Sequence, residues 1–461
     1  MSTESYTLDS LGWGAALRSG QRVISEDGEC RVVQFAGDLM SLVSEDESFE
    51  RHNLRWMLWH HAREVLRPFS EYRSEFFDWP AAALVGTSKI EIGDFGKGGL
   101  KLLLPSRKKL TTRRDYHPQG KVDREPIYRV LKCHQSMGKP VEVWQRAGKR
   151  ALLHQVNKCG SFIQCPVCAH RITMGRREEL KGAFEALVGR GGMGYLITLT
   201  VPHSRADYLE DLLRQMLYAR DRLNNSGWAK RVERKPGKRS ADRLGHKYIG
   251  RIRSLEVTFS SAGGWHPHLH ELWVFNAPLS QLELSVFDGL PLAWADSCED
   301  WWLRRPSTLH GVDIRPIFNN AEYLSKFSLN ERRWGLEKEL ASSGQKFKSH
   351  SPWTLLELSM YGDQLARSRF LEYVRAMHSV QPSSIHVSGN LNFAIKQLGL
   401  TLRDDDTLSK VVESEAELLM ELSVEDYRFI SANGLHSLIL RLAETGGPEV
   451  VRNFINSKKG V

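Results

Sequence analysis

The sequence predicts an α+β fold: an open antiparallel sheet of the split βαβ type, preceded by a small cysteine-rich module and followed by a mostly helical region. Three observations carry it. Between Gly194 and Phe327 the apolar periodicity runs strand, helix, strand, strand, helix, strand. Three of the six cysteines, Cys159, Cys165 and Cys168, fall within ten residues just ahead of that block. Beyond Phe327, apolar residues recur at helical spacing. At about 100–200 residues per domain, the 461 residues divide into segments 1–125, 126–185 (the cysteine-rich module), 190–335 (the sheet domain) and 336–461 (mostly helical, with an acidic tail).

In chain order, residues 1–125 mix expected short strands (Cys30 to Phe35, Lys89 to Ile92, Leu100 to Leu104) with a helix around Leu54 to Leu66, and no chemistry can be assigned there. The cysteine-rich module follows. Cys165 and Cys168 form a Cys-x-x-Cys knuckle in QCPVCAHR, whose tight turn aims two thiolates at one ion, and Cys159 lies six residues upstream. Cys133 is the expected fourth ligand, with His134, His154 and His170 as competitors. Six cysteines are too few to scaffold a chain this long with disulfides, and Cys30 and Cys298 read as ordinary reduced thiols.

In the sheet domain Tyr195, Ile197, Leu199 and Val201 alternate as a strand should. Ser204 is placed to cap a helix through Leu212, Leu213, Met216, Leu217 and Leu223. Ser254 to Phe259 and Trp265 to Phe275 read as a hairpin joined by SSAGG. A helical stretch over Leu279 to Leu303, a strand over Val312 to Ile317, and a short helix over Ala321 to Leu329 capped by Asn319 or Asn320 complete the split βαβ, ferredoxin-like order, with helices expected on one face. Farther on, Asp363 caps a helix in which Ala366, Phe370, Tyr373, Val374 and Met377 recur, and Leu408 to Leu422 and Leu435 to Leu442 read as amphipathic helices.

Composition excludes collagen, a disordered tail and a disulfide-stapled miniprotein. Residues 381–461 hold eight basic and eleven acidic side chains, so of the net +9 the first 380 residues carry +12. Basic residues cluster over Arg107 to Arg150 and over Lys230 to Arg253. Such runs read either as solvated loops or as phosphate contacts that release counterions on binding, and on the second reading Lys230, Arg231, Arg234, Lys235, Lys238 and Arg239 are the expected nucleic-acid contacts. Apolar runs are too short to span a bilayer, and MSTESYTLDS lacks the pattern of a secretory signal, so a soluble cytoplasmic protein is expected.

The densest chemistry lies in GWHPHLHELW. On a strand His266, His268 and His270 project to one face, and a His-x-His pair can hold a divalent ion with positions left open for substrate. With the turn centred on Ala262, Glu256 falls opposite His268 on the same face. Two imidazoles and a carboxylate suit Mg²⁺ or Mn²⁺; a slipped register would make His266 or Asp313 the third ligand instead. In NNAEYLSKFS, Tyr323 and Lys326 share a helix face. A metal at the phosphate and an ammonium beside the phenol are what a tyrosine needs to attack phosphorus.

GYLITLTVP, GWHPHLH and AEYLSKF, in that order, resemble the three motifs of the rolling-circle replication initiators (plasmid Rep proteins) of the HUH endonuclease superfamily. The resemblance covers about Leu131 to Met377 and includes a cysteine-rich segment ahead of the first motif. It implies an HUH nuclease domain in which His268, His270 and an acidic or polar residue hold Mg²⁺ or Mn²⁺. It also implies structural zinc, and Tyr323 as the nucleophile that nicks DNA at a double-strand origin through a single-stranded or cruciform site. The expected products are a 5′-phosphotyrosine link and a free 3′-OH primer, with host helicase and polymerase as partners. Phe327 stands where some relatives carry a second tyrosine, which leaves termination to an activated water or to Tyr323 of a second subunit. A transposase or relaxase would use the same chemistry, and a non-catalytic zinc-containing DNA-binding regulator is the alternative from another class.

Overall fold

Local sequence signals set most element ends. The computed structural model describes residues 47–71, 129–146, 150–233, 244, 247–317, 349–410 and 416–459. In chain order these form α1 (Glu47–Glu71), a 3₁₀ turn (Arg129–Lys132), β1 (Val141–Arg146), β2 (Leu152–His154), α2 (Pro166–Gly189), β3 (Met193–Thr200), α3 (Leu209–Asn224) and α4 (Gly227–Glu233). Next come β4 (Tyr248–Ser260), β5 (Gly264–Phe275), α5 (Gln281–Leu284), a 3₁₀ segment (Ser285–Gly289), α6 (Leu290–Glu299) and β6 (Val312–Ile317). The last group is α7 (Pro352–Met360), α8 (Gln364–Val380), β7 (His386–Gly389), α9 (Leu391–Gln397), α10 (Asp405–Lys410), β8 (Ala416–Leu422), α11 (Val424–Ala432) and α12 (His436–Lys459). Two compact units result: Leu66–Tyr128 is separate from the unit that holds everything else described below.

The main sheet has the order β6-β3-β5-β4-β7, antiparallel throughout. Its first four strands follow the split βαβ order expected from the periodicity. The hairpin turns at Ser261 to Gly263, and Gly264 takes a φ of 77°, where a Cβ would meet the Ser204 carbonyl at 2.5 Å. Asp363 caps α8 as expected, accepting from the Ala366 amide at 2.9 Å.

The structure corrects several expectations. Helices cover both faces of the sheet, not one. On the face shared with the hairpin histidines, Leu196, Ile252, Leu272 and Val274 pack against Leu180, Phe184 and Leu187 of α2 and Leu391 of α9. Helix α2 comes so close that a Cβ on Gly194 would sit 2.6 Å from Phe184. Across the sheet Tyr195 and Trp273 pack on Phe287 and Trp228. The cause is visible in β3: Tyr195, Leu196 and Ile197 are all buried, so the strand is apolar on both sides.

Ser204 does not cap a helix. Its amide and hydroxyl bond Asp207, and α3 begins at Leu209 without a side-chain cap. The stretch Leu279 to Leu303 breaks into α5, a 3₁₀ segment and α6, because Gly289 and Pro291 interrupt it. Leu408 to Leu422 is not one helix: α10 ends at Lys410, and Ala416–Leu422 is β8, which pairs antiparallel with β1. The result is a second sheet, β2-β1-β8, shared by the cysteine-rich segment and the C-terminal one.

Arg251 and Arg253, counted with the basic stretch, lie on β4. Arg251 joins a buried charge network: Arg220 and Glu271, each 1% exposed, pair through both carboxylate oxygens at 2.6 Å, and Trp273 donates to Glu271 at 2.9 Å. Burial alone would raise the Glu271 pKa, but the Arg220 and Arg251 charges outweigh it and hold it at about 2. Glu271→Ala should therefore cost roughly 3–5 kcal/mol of stability, since it strands a buried guanidinium. Urea melts of the two proteins test this, and a loss below about 1 kcal/mol would mean that the network is dispensable.

Candidate functional site

Two clusters carry chemistry. The first is the cysteine set. Cys133 follows the 3₁₀ turn, Cys159 follows β2, Cys165 is the N-cap of α2, and Cys168 stands in that helix's first turn. Their sulfurs lie within 4.8 Å of one another and all four residues are buried. Cys133 Sγ is 3.7 Å from Cys165 Sγ and 3.6 Å from Cys168 Sγ. A tetrahedral zinc with Zn–S near ~2.3 Å needs sulfur–sulfur edges of about 3.8 Å, so the spacing fits the ion.

Backbone amides complete the knuckle. Cys168 N–H points at Cys165 Sγ and Cys159 N–H at Cys133 Sγ, both at 3.4 Å. Gly160 takes a φ of 61°, a left-handed conformation that favours glycine, and lies close against Asp406. The competitors His134, His154 and His170 stay outside the set; His134 instead places Nδ1 3.0 Å from Cys133 Sγ. Burial and the adjoining thiols push Cys165 well above its ordinary value, while at Cys133 burial is outweighed by hydrogen bonds from the other three thiols, which hold it well below its own.

The second cluster is on the hairpin. Glu256 lies opposite His268, the register expected from a turn centred on Ala262. Its carboxylate reaches diagonally to His270 Nε2 at 2.7 Å. Nδ1 of His268 lies 3.1 Å from Thr200 Oγ1, and Nδ1 of His270 lies 3.1 Å from Thr198 Oγ1. The imidazoles continue beyond the motif: His268 is 4.0 Å from His266, ring to ring, and His266 is 4.2 Å from His203. Burial first, then the neighbouring imidazole, holds His268 at about 3 and His266 at about 4. Both rings are therefore neutral at physiological pH, the form that ligates metal.

Two imidazoles and a carboxylate make a donor set suited to Mg²⁺ or Mn²⁺. Unlike the cysteines, these ligand atoms are not gathered within 4.8 Å of one another. The His268 and His270 rings stand 6.0 Å apart, and Glu256 sits on His270. Asp313, the alternative third ligand, lies across from Thr198 on β6 and pairs with Arg315 at 2.8 Å.

Tyr323 and Lys326 lie outside the described residues, as do Arg234, Lys235, Lys238 and Arg239. Lys230 is exposed on α4, and Arg231 belongs to the same helix. Sequence reasoning missed His203, Thr198 and Thr200. The threonines had a readable signal, since Thr-x-Thr on β3 alternates in step with His-x-His on β5.

Among the described residues no helix is long and apolar enough to cross a membrane. The chain is 37% identical over 226 residues to a Streptomyces lividans protein named "Protein rep", a match covering 40% of this chain and 49% of that one. It is 34% identical over 132 residues to a Streptomyces cyanogenus "Neomycin resistance protein", covering 25% of this chain and 30% of the relative. No family model and no solved structure matches. The chain thus spans about half the length of the first relative and less of the second, and what it is similar to in that span is a Rep protein.

Proposed function

We propose that this protein initiates plasmid rolling-circle replication as a metal-dependent tyrosine DNA endonuclease and strand transferase of the HUH type. The observation that carries the reading is the hairpin register, with Glu256 opposite His268 and bonded to His270 on one sheet face. The similarity to "Protein rep" over 226 residues supports the replication role. His268, His270 and Glu256 would hold Mg²⁺ or Mn²⁺, which when bound supplies positive charge to a scissile phosphate.

The chain's own residues do the rest. Tyr323 Oη attacks phosphorus, forming a 5′-phosphotyrosine bond as the P–O3′ bond breaks. The phenol proton passes to solvent water, Lys326 steadies the phenolate, and the departing 3′-oxygen takes a proton back from water to become the primer hydroxyl. Transesterification conserves the bond, so the nick needs no nucleotide cofactor. The basic residues from Lys230 to Arg239 hold DNA phosphates in a salt-dependent manner, and Cys133, Cys159, Cys165 and Cys168 hold a structural zinc. Host helicase and polymerase would act on the primed strand.

The test uses labelled single-stranded oligonucleotides covering the DNA around the protein's own coding sequence, with Mn²⁺. The expected result is a covalent protein–DNA adduct on a denaturing gel, lost in Tyr323→Phe. An adduct that survives that substitution would show that another residue is the nucleophile, and no adduct with any oligonucleotide would favour a binding protein without catalysis.

A further inference from the structure

Two threonines stand behind the hairpin histidines. Thr198 and Thr200 pair with His270 and His268 across β3 and β5, so all four side chains share one face. Toward the other end of β3 that face is apolar, with Gly194 and Leu196 against α2 and its neighbours. Polarity on the strand begins where the histidines begin. Valine would serve strand propensity and packing at both positions equally well, so the hydroxyl is what threonine adds. Thr200 is anchored on both sides by its backbone: its N–H donates to the Gly311 carbonyl at 2.9 Å, and buried Trp294 donates its indole N–H to the Thr200 carbonyl at 2.9 Å.

We propose that Thr198 and Thr200 are positioning residues that orient His270 and His268 and determine which ring nitrogen of each carries the proton. The inference rests on the reading above, in which these histidines ligate a divalent ion. An imidazole that gives its Nε2 lone pair to a metal keeps its proton on Nδ1, and that proton needs an acceptor. The threonine oxygens at 3.1 Å provide one for each ring. A hydroxyl also donates. When His270 instead gives its Nε2–H to Glu256 at 2.7 Å, Thr198 can turn its own proton toward Nδ1. A threonine therefore supports both proton arrangements of the ring, whereas a carboxylate in its place could only accept.

Full-length wild type and the Thr198→Val, Thr200→Val, Thr198→Ser and Thr200→Ser variants would be titrated with Mn²⁺ alone, following free Mn²⁺ by electron paramagnetic resonance. The same proteins would be tested for the covalent adduct. Valine keeps the shape and removes the hydroxyl; serine keeps the hydroxyl and removes the methyl. Each valine variant should bind Mn²⁺ about tenfold to a hundredfold more weakly, with adduct formation reduced in step, while the serine variants stay near wild type. Zinc content and thermal midpoint should match across the set. If wild type binds Mn²⁺ and the valine variants keep its affinity, the positioning role is wrong and the metal site stands. Serine variants as weak as valine would assign the effect to packing and overturn the proposal. Wild type that binds no Mn²⁺ would remove the metal site and the positioning role together.

Discussion

Purified protein should contain about one zinc per chain, and removing it under reducing conditions should unfold the β2-β1-β8 sheet. The apparent free energy of a structural zinc site, roughly 10–16 kcal/mol at neutral pH, is as large as the whole net stability of a typical domain, about 5–15 kcal/mol. Little else could hold the four ligands together, because they come from the end of a 3₁₀ turn, a loop after β2 and the first turn of α2. The effect should propagate. Tyr427 of α11 donates to the His134 carbonyl at 2.7 Å, one residue from Cys133, and β8 pairs along the whole of β1. Cys165→Ser should reproduce the loss, since serine can still accept the Cys168 amide at the N-cap of α2 but no longer offers a thiolate to the ion. Metal analysis, circular dichroism and limited proteolysis on the chelated and untreated protein read the outcome; an apo protein with an unchanged melting midpoint would show that the thiols are merely buried.

Replacing His268 and His270 together with Ala should lower adduct formation by at least about a thousandfold while leaving salt-dependent DNA binding intact. Charge neutralisation at a transferring phosphate is worth several kcal/mol, and each ~1.4 kcal/mol is tenfold in rate. The double substitution leaves Glu256 on the sheet face without either imidazole, and a single carboxylate is a poor site for a divalent ion. The main sheet should tolerate it, because Leu196, Leu272, Ile252 and Val274 hold α2 on that face independently of the histidines. Parallel measurement of adduct yield and of duplex binding at several salt concentrations separates the two functions. If both disappear together, the histidines hold the fold and not an ion.

The elements read most directly from sequence were those fixed by short-range rules. β6 occupies the span Val312–Ile317 that its pattern predicts, and α8 begins at its Asp363 cap. The expected helix around Leu54 to Leu66 lies within α1, and that around Leu435 to Leu442 within α12, which continues past a break at Gly447. Misreadings arose where another part of the chain decides. Ala416–Leu422 carries apolar residues compatible with a helix, yet the unpaired edge of β1 recruits it as a strand. Acidic residues of the C-terminal segment also meet partners that the sequence order does not reveal: Glu444 accepts from Arg150 and from the Ala151 amide, and Asp405 pairs with Arg176 of α2.

By itself the sequence determined the two constellations that have neighbours close along the chain. A Cys-x-x-Cys knuckle and a period-two hairpin leave little freedom, because a tight turn and strict side-chain alternation place their residues within a few ångströms. Only the tertiary structure decided that Cys133 and not a histidine completes the thiolate set, that Glu256 bonds His270 although it pairs with His268, and that threonines back both rings. The first and the last depend on contacts between segments far apart in the chain, and the second is a choice between two ring partners that pairing within the hairpin leaves open. Periodicity says which face a residue occupies, but the partner it meets there is chosen by packing.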